Sequence, residues 1–261
     1  MSVADFLQIG LCSRRRGFYS ACMINVLANP HRFMAFSRWA APVLGLLAAL
    51  LIAVGLWLGF VAPEDYQQGA TVRIMYIHVP AAWMSMFSYA CLGGASFFSL
   101  VFRHSLADAA ARAVAPLGAG FTFLALVTGS LWGRPMWGTW WVWDARLTSV
   151  LVLFLLFVGY IALRASIDDE AKGARAGAIL ALVGMVNLPI VKYSVDWWNT
   201  LHQGESIFRA GGPTLAPVFL VPLAIMGLGY ACAFGALWLT ATRAEVWRRR
   251  AASLAMQAAF S

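Results

Sequence analysis

Long apolar runs separated by short polar connections dominate the chain. A hydrocarbon core about 30 Å thick is crossed by roughly 20 residues of helix, because a helix bonds its backbone N–H and C=O groups within itself. Six runs fit that length, near residues 40–61, 80–102, 114–131, 149–163, 176–195 and 214–240. The fourth becomes a full span if Thr148 and its neighbours sink with it, and the sixth has length to spare for tilt or for leaving the bilayer. Asn187 and Pro189 in the fifth predict a kink, with the asparagine amide placed to serve backbone groups that the proline frees. Gly93-Gly94, Gly118 with Gly120, and Gly227 with Gly229 predict close helix packing. The pattern is that of an all-α polytopic membrane protein, a bundle of six transmembrane helices.

Composition agrees: 61% of residues are hydrophobic and 11% charged, where soluble domains have roughly 45–50% and about 25%. The net charge of +8 invites comparison with nucleic-acid binders, but the basic residues sit in the short connections between apolar runs. There they act as topology signals and anchors for the lipid bilayer, and no nucleic-acid partner is expected. Fourteen of the nineteen Lys and Arg fall on one side: Arg14, Arg15, Arg16, Arg32, Arg38, Arg103, Arg112, Arg164, Lys172, Arg175, Arg243, Arg248, Arg249 and Arg250. The other side holds Arg73, Arg134, Arg146, Lys192 and Arg209. The positive-inside rule then puts both termini in the cytoplasm and three connections outside. The expected organisation is a cytoplasmic segment 1–38, a membrane domain 39–241 with a tryptophan-rich outer loop 132–148, and a basic cytoplasmic tail 242–261.

Within the first segment, Arg15-Arg16-Gly17-Phe18 resembles part of a twin-arginine export signal, but the apolar stretch behind it is short and interrupted. Because nothing before Met23 or Met34 adds a span, either is read as the true start. Of the four cysteines, Cys91 and Cys232 lie in apolar runs and Cys12 and Cys22 near the N-terminus, so thiol exchange on the outer side is not expected.

Unusual chemistry collects in the outer connections. The second carries Trp132, Trp137, Trp140, Trp141 and Trp143, five of the chain's twelve tryptophans, and Trp197-Trp198 adds to them in the third. An aromatic belt at the headgroup level scatters its rings over helix ends. Five in one loop, with Gly133 and Gly138 allowing close backbone approach, suit a large, flat, apolar ligand. Two of the four histidines, His78 and His202, lie in the first and third outer connections, while His31 and His104 lie on the other side. A single histidine at the rim is ordinarily a hydrogen-bonding residue. Two beside an indole surface suit axial ligation of haem iron, and the outer guanidinium groups suit its propionates. Asp144 and Arg146 read equally well as a helix-start cap and a local ion pair.

Residues 132–144 resemble the tryptophan-rich WWD segment of haem-handling membrane proteins, and Ala145-Arg146-Leu147-Thr148-Ser149 extends the match. With residues 62–69, His78-Val79-Pro80-Ala81-Ala82 and residues 193–203, the chain is similar to the haem exporter protein C (CcmC) family of cytochrome c maturation. The resemblance implies a bacterial inner-membrane protein that holds b-type haem transiently on its periplasmic face and loads the haem chaperone CcmE. It would work with CcmD and the transporter subunits CcmA and CcmB. It also implies His78 and His202 as axial ligands, Trp132, Trp137, Trp140, Trp141, Trp143 and Asp144 as the tryptophan-rich surface, and Arg73 and Arg146 near the haem. No enzyme activity is expected; any covalent haem bond would form on the chaperone. Two rivals remain. A b-type electron-transfer cytochrome ordinarily pairs histidines at bilayer depth, and no histidine falls mid-span; a secondary transporter ordinarily carries charge near the midplane, and none is present.

Overall fold

The computed structural model describes residues 29–202, 204, 207 and 211–259; the twin-arginine sequence, Cys12, Cys22, Met23, Gln203 and Arg209 lie outside them. Regular structure in the described residues is helical: α1 (Pro30–Val61), a short 3-10 turn (Ala70–Ile74) leading into α2 (Met75–Phe102), α3 (Ser105–Trp137), α4 (Ala145–Ser166), α5 (Glu170–Gly184), α6 (Asn187–Trp197) and α7 (Pro217–Ala259). Counting α5 and α6 together, six segments are long and apolar enough to cross a membrane, so the chain is a multi-pass membrane protein.

Four of the described helices, α1, α3, α4 and α5, begin where the sequence supplies an acceptor for orphan N–H groups. Asn29 Oδ1 accepts from His31 N–H at 2.9 Å, with Pro30 in the first turn, and His104 Nδ1 accepts from Ala107 N–H at 3.2 Å. Asp144 Oδ1 accepts from Leu147 N–H at 2.7 Å, and Asp169 Oδ1 from Ala171 and Lys172 at 3.0 Å each. α3 ends at Gly138, whose φ of 75° is the left-handed conformation that glycine adopts without a Cβ penalty.

Hydropathy located the spans but not the helix ends. α1 and α7 run through the expected boundaries at 38 and 242, α2 starts upstream of His78, and α3 continues through Trp137. Hydropathy reports what lipid touches, whereas a helix continues until a cap or a breaker stops its backbone bonding. Much of the supposed tryptophan loop is therefore the end of α3, and His78 belongs to the first turn of α2 rather than to a loop.

The fifth span breaks where proline predicts. Pro189 cannot donate to the Met185 carbonyl, and Leu188 N–H takes that acceptor at 3.1 Å. Asn187 serves a different purpose from the one expected: its Nδ2 donates to the Ser149 carbonyl at 2.9 Å, a buried tie from α6 to α4. Of the paired glycines, Gly93 faces Met185 and Gly118 faces Phe157 with no room for a Cβ, whereas Gly94 and Gly120 face open space.

α1 lies along α7 and α2 along α3; α3 also meets α4 and α7, and α5 packs on α2 and α4. Tyr89, Leu92, Val114, Leu153, Phe157 and Ala181 fill the main core. A second cluster of Val72, Met75, Tyr76, Ala81, Ala125, Leu223 and Met226 supports the end remote from the chain termini. Cys91 and Cys232 are free thiols within α2 and α7.

At the terminal end the arginines do more than signal topology. Asp108 on α3 accepts from Arg164 Nη1 and Nη2 at 2.5 and 3.1 Å and from Arg249 Nη2 at 2.6 Å. Glu245 accepts from Arg248 and Arg249, and Glu170 lies 3.2 Å from Arg248 and 3.8 Å from Arg112. The network joins α3, α4, α5 and α7. Its centre is dry: the Arg164 side chain is 3% exposed and that of Asp108 7%.

Breaking a buried pair strands the remaining charge. Asp108→Ala should therefore lose about 3–5 kcal/mol of stability, seen as a lowered thermal transition in detergent. Lys172→Ala, which removes a partner of Asp169 whose own side chain is 81% exposed, should leave the transition nearly unchanged.

Candidate functional site

The site is the end of the bundle opposite the termini, where α3 delivers its tryptophans beside the start of α2. Asp65 Oδ1 accepts from Gln67 and Gln68 N–H at 2.9 Å each and holds the first connection in a tight turn. Gln68 Oε1 then accepts from Trp132 Nε1 at 3.0 Å. This bond fixes the indole whose ring meets His78 edge-on, centroids 5.7 Å apart. On its other side His78 presents Nδ1 to Thr128 Oγ1 at 3.1 Å, and the ring lies so close to α3 that a Cβ on Gly129 would stand 2.9 Å from His78 Cε1.

His202 occupies the matching position on the third connection. Its backbone N–H donates to Thr200 Oγ1 at 2.9 Å, and its ring meets Trp137 edge-on with centroids 4.8 Å apart. His202 Nδ1 lies 3.5 Å from Asp144 Oδ2, a charge contact whose geometry does not make a hydrogen bond. Burial holds the His202 pKa below the usual imidazole value, partly opposed by the Asp144 carboxylate, so the ring is neutral at pH 7 and retains a lone pair. His78, His202 and Arg146 lie within electrostatic reach of one another.

Asp144 therefore has two distinct oxygens: Oδ1 caps α4, and Oδ2 faces His202. Arg146 makes its hydrogen bond elsewhere, Nε donating to Ser194 Oγ on α6 at 2.8 Å. Arg73, on the 3-10 turn, lies 5.3 Å over the Phe60 ring. Trp141 meets Trp143 edge-on at 5.5 Å, and Trp140 and Trp143 are 56% and 76% exposed. Trp197 stacks on Tyr193 at the end of α6.

Five buried polar atoms at this end have no hydrogen-bond partner among the described residues: Arg73 Nε, Tyr76 Oη, Trp141 Nε1, Asp144 Oδ2 and His202 Nδ1. Unpaired polar groups cost about 1–3 kcal/mol each, and a concentration of them marks a surface completed by something outside the chain. The donors and acceptor suit a ligand with an apolar body and anionic substituents.

The CcmC family model, described as heme exporter protein C, matches residues 23–257. The chain belongs to the CcmC family. It is similar to the heme exporter protein C of Bradyrhizobium diazoefficiens, 57% identical over 233 residues that cover 89% of each chain. The Escherichia coli K12 heme exporter protein C is 54% identical over 184 residues, 70% of this chain and 75% of that one. The Paracoccus denitrificans protein of the same description is 45% identical over 228 residues, 87% and 95% of the two chains.

In this CcmC chain, sequence reasoning found the imidazoles and indoles but missed what holds them: Gln68 by its contact, Thr128 and Gly129 altogether. One signal was available. Thr128-Gly129-Ser130 is a polar, small-residue interruption one turn before Trp132, at the end of an otherwise apolar run.

The two oxygens of Asp144 can be separated experimentally. Asp144→Ala should cost about 1 kcal/mol through loss of the α4 cap, whereas Asp144→Asn keeps a capping oxygen and should hold the thermal transition close to wild type. Asn should nevertheless lower the His202 pKa further, since the charge that favours the protonated ring is gone; NMR titration of the ring measures it.

Proposed function

We propose that the chain binds haem on the periplasmic side of a bacterial inner membrane and presents it to the haem chaperone CcmE, in a complex with CcmD, CcmA and CcmB. The observation that carries this reading is the pairing of His78 with Trp132 and of His202 with Trp137 at one end of the bundle. Two imidazoles from separate connections, each set edge-on to an indole of α3, are the donor set that a porphyrin iron takes in its axial positions. Family membership supports the cargo, since the relatives carry the description heme exporter protein C. The excess of basic residues at the terminal end supports the orientation.

In this reading haem is cargo. Trp140 and Trp143 offer exposed apolar area for its body, and Trp141 packs edge-on against Trp143. Arg73 and Arg146 are the cations for its propionates, and the unpartnered Arg73 Nε supports that assignment. Binding is transient and of b type, a reading supported by the absence, among the described residues, of a cysteine at this end to form a thioether. The chain orients the group and leaves one edge for the partner, on which any covalent bond forms. Such a role is delivery rather than catalysis.

The decisive experiment replaces His78 and His202 by alanine, singly and together. Each single variant should perturb the haem absorption spectrum of the purified protein, and the double variant should lose both the low-spin spectrum and transfer to CcmE. A double variant with wild-type spectrum and transfer removes the proposal.

A further inference from the structure

The His78 ring is held by three neighbours on one stretch of α3: Thr128 against Nδ1, Gly129 against Cε1, and Trp132 in a T-shaped ring contact. Thr128 Oγ1 is also 2.6 Å from the Leu124 carbonyl oxygen one turn back. Two oxygens at that separation repel unless a proton lies between them, and 2.6 Å is a normal length for an O–H···O bond. A threonine has only one hydroxyl proton, and here it goes to Leu124. What Thr128 offers His78 is therefore a lone pair, and the 3.1 Å contact is attractive only if Nδ1 carries an N–H. A neutral imidazole has one N–H, so with the proton on Nδ1 the lone pair is left on Nε2.

Back-bonding to the preceding turn is ordinary for a hydroxyl in a membrane helix. Thr122 does it to Gly118 at 2.7 Å and Ser88 to Met84 at 2.6 Å. Neither has an imidazole against its oxygen. Thr128 differs in that its spare lone pairs are used.

We propose that Thr128 is a positioning residue whose hydroxyl, committed to the Leu124 carbonyl, locks His78 in the Nδ1–H tautomer and leaves Nε2 as the nitrogen able to bind a metal. The assignment of that metal as haem iron rests on the function proposed above; the tautomer itself does not. A hydrogen-bond partner on the far nitrogen of a ligating imidazole raises its basicity and fixes ring orientation, and losing one typically costs about 10–100-fold in metal affinity.

The test uses full-length protein in detergent. Nitrogen-15 histidine spectra of the haem-free protein distinguish a protonated ring nitrogen from a bare one, and the His78 signals are identified by their loss in His78→Asn. Wild type and Thr128→Ser should show His78 protonated at Nδ1, whereas Thr128→Val, close in shape but without the oxygen, should shift the ring toward the Nε2–H form. With haem added, Thr128→Val and Thr128→Ala should retain haem at least about tenfold more weakly, with a reduced low-spin fraction, and Thr128→Ser should recover the wild-type spectrum. Protonation at Nε2 in the wild type overturns the proposal without reference to any variant. So does a valine variant matching the wild type in both readouts. If valine moves the tautomer while His78→Ala keeps the wild-type haem spectrum, the haem assignment fails and the role of Thr128 in setting the tautomer stands.

Discussion

In hydrocarbon an unpaired N–H or C=O has no water to turn to, and stranding one costs several kcal/mol. The whole bundle answers to that constraint. Helices satisfy their backbones internally, and buried hydroxyls such as Ser88, Thr122 and Thr128 give their protons to the turn behind. Where Pro189 removes a donor, Leu188 supplies the bond and Asn187 is released to cross to α4. The buried ion pairs and the unpartnered charged side chains lie toward the two ends of the bundle, and the ends have solved the problem differently.

One end is saturated. Asp108, Glu170 and Glu245 absorb Arg112, Arg164, Arg248 and Arg249 in a network that closes four helices on one another. The opposite end is left open, with buried donors and an acceptor lacking partners and with large indoles facing outward. A surface that is rigidly supported yet chemically incomplete is what a presenting platform requires, since preorganised groups bind without first paying to become ordered. The two imidazoles differ within this arrangement. His78 is fixed on a helix by a hydroxyl and an indole, whereas His202 rides on a connection and meets a carboxylate only loosely.

The sequence revealed the parts of this structure that depend on composition and period. Six spans, their alternation, the break near Pro189 and the gathering of indoles and imidazoles at one end all follow from runs, prolines and residue types. Helix ends were hidden, because the chain stays helical beyond the lipid until a cap such as Asp144 or a left-handed glycine such as Gly138 intervenes. Partners were hidden as well. That Asp108 would meet Arg164, fifty-six positions away, or that Gln68 would meet Trp132, follows from how helices pack and not from any local pattern. Asp144 was legible in both of its possible roles at once, as a cap and as a charge, and it fills both, although its charge faces an imidazole rather than Arg146.

The segment between α3 and α4 is held chiefly by its backbone. Ser130 Oγ donates to the Trp140 carbonyl at 2.6 Å, Arg134 Nη1 to the Gly138 carbonyl at 2.6 Å, and Thr139 Oγ1 to the Trp141 carbonyl at 3.1 Å. None of these ties uses an indole nitrogen. The path of the chain is thus largely independent of which rings it displays, much as an antibody framework tolerates different loops. The mount and the rings of Trp141 and Trp143 are therefore separable, since exchanging those rings leaves the ties to these carbonyls in place.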